Sequence, residues 1–171
     1  MFEAYYYYAR SSFASGQIAR SAELFQQAAA ARREDFQSAL LACQSLQMLG
    51  RNDDMLELRR EGISRAQRAL ELNPNDARAL SLLPGYLFDD GRPEDALAAH
   101  ERALALYPDD MSTLINGACL RSRMGHTERA LDLLEKAVEQ HGAQRDWIEH
   151  DSDYDSLRHE PRFQRLLAKL K

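Results

Sequence analysis

One interval governs this chain. Ala69-Leu-Glu-Leu-Asn-Pro74-Asn-Asp returns 34 residues later as Ala103-Leu-Ala-Leu-Tyr-Pro108-Asp-Asp. Gly91-Arg-Pro-Glu-Asp-Ala96 returns after the same interval as Gly125-His-Thr-Glu-Arg-Ala130, and Ala137 completes the series Ala69, Ala103, Ala137. A fixed spacing of this length marks a stacked array, in which each unit buries its apolar face only against its neighbours.

The period extends in both directions. Phe2 to Ala14 is apolar and aromatic and ends at Ser15-Gly16. From Ile18 to Arg32, apolar residues recur on one helical stripe, so the two runs form a helix pair about a tight glycine turn. Gly16, Ser21, Phe25 and Ala28 hold the places of Gly91, Ala96, His100 and Ala103, which makes residues 2–35 a first, degenerate repeat without its closing proline. Phe36 to Leu49 opens repeat two (36–76), and Gly50 stands 34 residues after Gly16. Gly91, however, follows Gly50 by 41, and Ala69 follows Ala28 by 41. Seven extra residues therefore fall inside the second helix, Asp53 to Leu72. Two added turns rotate its apolar face by only about 20°, whereas five residues would turn the face away. Repeats three and four cover 77–110 and 111–144. Pro84 removes an amide donor and is predicted to kink or shorten the first helix of repeat three. The array thus spans 2–144, and 145–171 is a capping segment. Pro161 suits the first turn of its last helix, with Phe163, Leu166, Leu167 and Leu170 as the apolar stripe. Trp147, Tyr154, Leu157 and Phe163 are the side chains expected to close the open end.

Charge and motifs narrow the function. A net charge of −5 disfavours direct nucleic-acid binding. No segment has the basic start and apolar run of a secretory signal, nor the roughly 18 apolar residues of a membrane span. A cytoplasmic location is expected, with Cys43 and Cys119 as buried free thiols. No phosphate-cradling glycine loop, nucleophile elbow or paired-cysteine zinc pattern is present, so a non-enzymatic protein without cofactor or metal is expected. The cluster His150, Asp151, Asp153, Asp155, His159 and Glu160 has two readings. It could converge on a metal and support a metal-dependent activity, or its Asp and Ser residues could cap a short helix. The second is preferred.

Small residues at Ala28, Ala69, Ala96, Ala103, Ala130 and Ala137, turn glycines at 16, 50, 91 and 125, and prolines at 74 and 108 resemble the tetratricopeptide repeat. The usual early aromatic of the first helix is replaced by Leu80 and Leu114, and its mid-helix glycine by Cys43 and Pro84. The resemblance implies an all-α, right-handed solenoid of about four helix-turn-helix repeats, with an elongated second helix in repeat two and a C-terminal capping helix. It also implies that first helices line a concave groove holding a peptide or partner protein. On that correspondence the groove residues are Tyr6, Arg10, Phe13, Gln37, Gln44, Gln47, Arg78, Phe88, Asn116 and Arg123, while Tyr5 and Tyr8 face the core. Phe36 to Leu49 is uncharged, whereas helix 53–72 is densely charged, which agrees with an inner and an outer position. The Lys and Asn positions by which some members of the family grip a terminal carboxylate hold Tyr6, Arg10, Leu41, Arg78 and Leu82 here, so such a clamp is not expected. The tail Asp153-Tyr-Asp-Ser-Leu-Arg158-His-Glu-Pro161-Arg-Phe163 is similar to the closing segment of repeat regions in bacterial class III adenylate cyclases and winged-helix regulators. That similarity implies a regulatory module beside an effector domain in a bacterial signalling protein. The alternative is a structural module packing on that domain or on itself as a homo-oligomer.

Overall fold

The computed structural model describes residues 1–142, 148–149 and 151–170. Trp147 and His150, named above, lie outside them. Among the described residues there are helices and no strands: α1 (Phe2–Ala14), α2 (Ile18–Ala31), α3 (Phe36–Met48), α4 (Asn52–Leu72), α5 (Ala77–Asp89), α6 (Pro93–Leu106), α7 (Met111–Arg123), α8 (Thr127–His141), a 3₁₀ turn (Ser152–Leu157) and α9 (Pro161–Lys169). The chain divides into two compact units, Met1–Ala79 and Leu80–Lys171.

Local chemistry sets where each helix begins and ends. Asp35, Asp76 and Asp110 accept the backbone amides of Ser38, Ala79 and Thr113 at 2.8–2.9 Å, so an aspartate satisfies a free N–H at the start of α3, α5 and α7. Each first helix ends at a glycine with φ between +68° and +76°. At the α3 end, the Gly50 amide donates to Gln47 O and the Arg51 amide to Leu46 O, both at 3.0 Å. The same six-to-one bond recurs from Gln17, Arg92 and His126, the geometry that turns a helix back on itself through a left-handed residue.

In unit one, Ala9, Ala22, Phe25, Ala42 and Leu46 bring α1, α2 and α3 into one core, with Tyr6, Leu41, Met55 and Leu58 packed around it. The tyrosine run resolves differently from expectation. Tyr8 is 64% exposed and Tyr5 half-buried, while Tyr6 lies edge-on to Phe25 with centroids 6.1 Å apart. The buried residues of α1 are Ala9 and Ser12, and a helix that hides those points Tyr6 at the core more directly than Tyr8.

The second helix of repeat two is long, as the interval requires: α4 has 21 residues against 14 in α2 and α6. The small residue at its packing point is nonetheless Gly62 rather than Ala69. Gly62 stands 12 residues after Gly50, as Ala28 does after Gly16 and Ala103 after Gly91. A Cβ there would lie 2.6 Å from Cδ2 of the fully buried Leu40. The added turns follow this contact, and Ala69, one heptad on, is only half-buried. Where α4 passes the end of α2, Arg65 donates to the carbonyl of Ala29 (3.0 Å), an acceptor in the last turn of α2, and to that of Asp35 (2.9 Å) at the start of α3.

Pro84 does not shorten its helix. α5 runs 13 residues, the length of α3 and α7, and the burial of Leu80, Leu83 and Leu87 outweighs one missing amide. In unit two the core joins α7, α8, the 3₁₀ turn and α9 through Leu114, Leu131, Leu134, Tyr154, Leu157, Phe163 and Leu167. The closing segment is built as an abbreviated repeat. Ser156 bonds to Ser122, 34 residues earlier, and Cys119 donates to Tyr154, 35 residues later. Phe163, Leu166 and Leu167 follow Ala130, Leu133 and Leu134 by 33. Pro161 occupies the first turn of α9 as expected. Arg162 holds α9 to α8 by donating to Glu128 (2.6 Å), Asp132 (2.9 Å) and Glu135 (2.7 Å).

Candidate interaction surface

The first helices carry a stripe that their second helices do not cover. On an α-helix, residues at i, i+4, i+7 and i+11 share a narrow sector. In unit one these are Glu3, Tyr7, Arg10 and Ala14 on α1, and Gln37, Leu41, Gln44 and Met48 on α3, the second set one full period after the first. All eight are exposed or half-buried; Tyr7 is 67% and Met48 61% exposed. Of the residues expected here, Arg10, Gln44 and Gln47 are exposed and Gln37 is half-buried. Tyr6 and Phe13 are half-buried, and Tyr6 belongs to the rim of the core. Arg10 sits with its guanidinium 5.9 Å from the Tyr6 ring centroid. Arg78, near the start of α5, is exposed.

Tyr7 and Met48 went unrecognised in the sequence, and Leu41 figures there only among the positions of a carboxylate clamp that is not expected. Four consecutive tyrosines leave the helical phase undetermined. The signal that could have found them is the 34-residue spacing itself, which pairs Tyr7 with Leu41 and Arg10 with Gln44.

In unit two the corresponding stripe is Leu82, Gly85 and Asp89 on α5, and Ser112, Asn116, Cys119 and Arg123 on α7. The structure does bring Phe88, Asn116 and Arg123 into contact with residues one repeat away, but those contacts are internal. The Asn116 amide donates to Ser81 O (3.1 Å) and Ser81 Oγ (3.0 Å). The Arg123 guanidinium lies over the Phe88 ring at 4.9 Å, is ion-paired with Asp89, and stands 3.7 Å from Asp153. Burial works against the Arg123 charge, but its hydrogen bond to Asp89 prevails and its pKa is raised.

The acidic run at 151–160 divides into separate tasks. Asp151 caps the 3₁₀ turn by accepting the Asp153 amide at 2.9 Å, the capping role preferred for it. Cys119 Sγ and carboxylate oxygens of Asp151 and Asp153 come within 4.8 Å of one another. The thiol donates to Tyr154 Oη at 3.2 Å, and burial pushes its pKa far up. Burial, with Asp151 and Asp89 nearby, also raises the Asp153 carboxyl, and Arg123 opposes it. Neither Cys43 nor Cys119 is in a disulfide; Cys43 is buried, its thiol donating to Ala39 O at 3.4 Å, and Cys119 is partly covered. No described helix is long and apolar enough to cross a membrane.

Known structures share this fold. Over 92% of this chain and 81% of its own, TTC0263, a tetratricopeptide-repeat protein of Thermus thermophilus, superposes with a TM-score of 0.65 at 22% identity. PilW, a type IV pilus biogenesis factor, gives 0.55 at 18% identity over 81% of this chain and 61% of its own. YrrB, described as a tetratricopeptide-repeat protein with an unusual peptide-binding site, gives 0.51 at 16% identity over 96% and 82%. No protein-family model matches the chain, and no curated protein sequence matches it. The fold is therefore all-α and of the tetratricopeptide-repeat type.

Proposed function

We propose that this protein is a non-enzymatic interaction module whose first-helix face binds an extended segment of a partner protein. The observation that carries the reading is the stripe of unit one: Tyr7, Arg10, Gln44 and Met48 are exposed with Leu41 half-buried beside them, aromatic, guanidinium, amide and apolar groups of the types that favour recognition, and α3 supplies no charge to desolvate. A tetratricopeptide-repeat fold and a neighbour described by its peptide-binding site support it. The similarity of the tail to bacterial signalling proteins extends the reading to a regulatory module acting beside an effector domain.

Random dodecapeptides displayed on phage and selected on the intact protein test the proposal. Selected peptides should lose more than tenfold in affinity for Tyr7→Ala or Gln44→Ala and keep it for Glu57→Lys on α4. Failure to select any peptide, or binding unaffected by both first-helix changes, defeats the reading.

A second reading rests on Tyr7 and Tyr8, 67% and 64% exposed, as a self-association face. Light scattering decides it: a dimer abolished by Tyr8→Glu supports it, and a monomer at all concentrations removes it.

A further inference from the structure

The structure assigns to the first-helix face of unit one a preference for a partner segment with one acidic side chain flanked by apolar residues. This inference rests on the interaction reading above and specifies its partner.

Charge carries it. Glu3, the sole carboxylate on the stripe, is paired with Arg32 at 2.6 Å, and the Arg32 guanidinium also lies 3.8 Å from the Phe2 ring centroid. Hydrogen bonding at the helix start and to Arg32 holds the Glu3 carboxyl below its ordinary pKa, so it stays ionised and committed to that pair. α3 contains no charged residue at all. On the stripe of α1 and α3, Arg10 is then the one charge with no carboxylate opposite it among the described residues; Arg78, on the corresponding stripe of α5, is also exposed. The orientation of Arg10 rests on a fixed support, because Tyr6 is itself held by Phe2 (6.0 Å) and Phe25 (6.1 Å). In a protein of net charge −5, a stripe whose one carboxylate is neutralised and whose Arg10 is not is selective by sign. Its counterpart in unit two differs, since Asp89, Arg123 and Asp153 are bound to one another.

Geometry supplies the remainder. A guanidinium fork meets a carboxylate through two parallel N–H···O bonds. Gln37 and Gln44 each offer both a donor and an acceptor, the pairing an extended backbone requires. Tyr7, Leu41 and Met48 give apolar contact beside the cation, and methionine adapts to irregular side chains.

Phage-displayed dodecapeptides selected in parallel on wild type and on Arg10→Glu read this directly. Wild type should enrich Asp or Glu at one position, and the synthetic winner should lose more than tenfold both on Arg10→Glu and on replacement of its acid by the amide. Arg10→Glu should itself select Lys or Arg. Winners without acid enrichment, or indifferent to Arg10→Glu, overturn the inference. If these same winners still weaken on Tyr7→Ala, the interaction reading survives it. Enrichment of basic residues on wild type, or a self-associated chain broken by Arg10→Glu, also overturns it.

Discussion

A Cβ placed on Gly117 would lie 1.9 Å from Nε2 of His100. The imidazole of α6 is driven into a gap that α7 leaves by carrying no side chain there. His100 is 1% exposed, its Nε2 is 3.3 Å from Thr113 O, and its Nδ1 has no hydrogen-bond partner in the structure. It fills the place that Phe25 and Leu134 take in other repeats.

Gly117→Ala should therefore destabilise unit two by about 2–3 kcal/mol, the cost of overpacking a rigid contact. Truncating the ring relieves the clash, so the double variant His100→Ala/Gly117→Ala should be less unstable than the sum of the single changes. Urea unfolding of the four proteins measures the coupling.

Burial lowers the His100 pKa below its ordinary 6.5, with the Thr113 carbonyl partly opposing and Arg121 reinforcing the shift. Glu101 acts against it and Arg129 with it, so the surrounding charge is mixed. The unfolded chain then binds this proton more readily than the folded one. Stability from this group is complete above pH 6.5 and falls as pH drops through the window beneath it, with a slope of at most about 1.4 kcal/mol per pH unit. Unfolding midpoints between about pH 7 and 5 should decline more steeply in wild type than in His100→Leu; parallel curves would refute the assignment.

Asn116→Ala should lower stability by about 1–2 kcal/mol, because Ser81 Oγ and its carbonyl lose a shared donor. A groove residue presented to a partner would instead leave the melting temperature unchanged. Calorimetry of the variant separates the two roles.

Arg162 draws three carboxylates of α8 onto α9, with its side chain 28% exposed. Those hydrogen bonds raise its pKa, so it remains charged at any accessible pH. Arg162→Met should cost about 1–2 kcal/mol at low salt as Glu128, Asp132 and Glu135 are left to repel one another, and less in about 1 M NaCl. Denaturation at two ionic strengths checks both sign and screening.

Much of this was legible in the residues. Turn glycines, the prolines at 74, 108 and 161, and the heptad excess in repeat two translate directly into backbone geometry, since each is a rule about φ, a missing donor or helical pitch. The packing partners were less legible. Tyr6, Tyr7 and Tyr8 are chemically alike, and only Ala9 and Ser12 meeting α2 decide which of them turns inward. Asn116 and Arg123 have the composition of binding residues, but their ties to Ser81, Phe88 and Asp89 appear only once helices one repeat apart are set side by side. His100 carried no signal beyond replacing an apolar residue.

In α2 and α6 a single alanine does two jobs. Ala28 and Ala103 are fully buried, and their carbonyls accept the closing amides of Arg32 and Tyr107. In α4 the jobs are separated: Gly62 makes the close approach, and Ala69 accepts the closing amide of Asn73 at 2.8 Å. Splitting one position into two frees each from the other's requirements. The segment between them becomes a place where the protein can change length in whole heptads without disturbing either contact, so related chains should differ there by multiples of about seven residues rather than by arbitrary insertions.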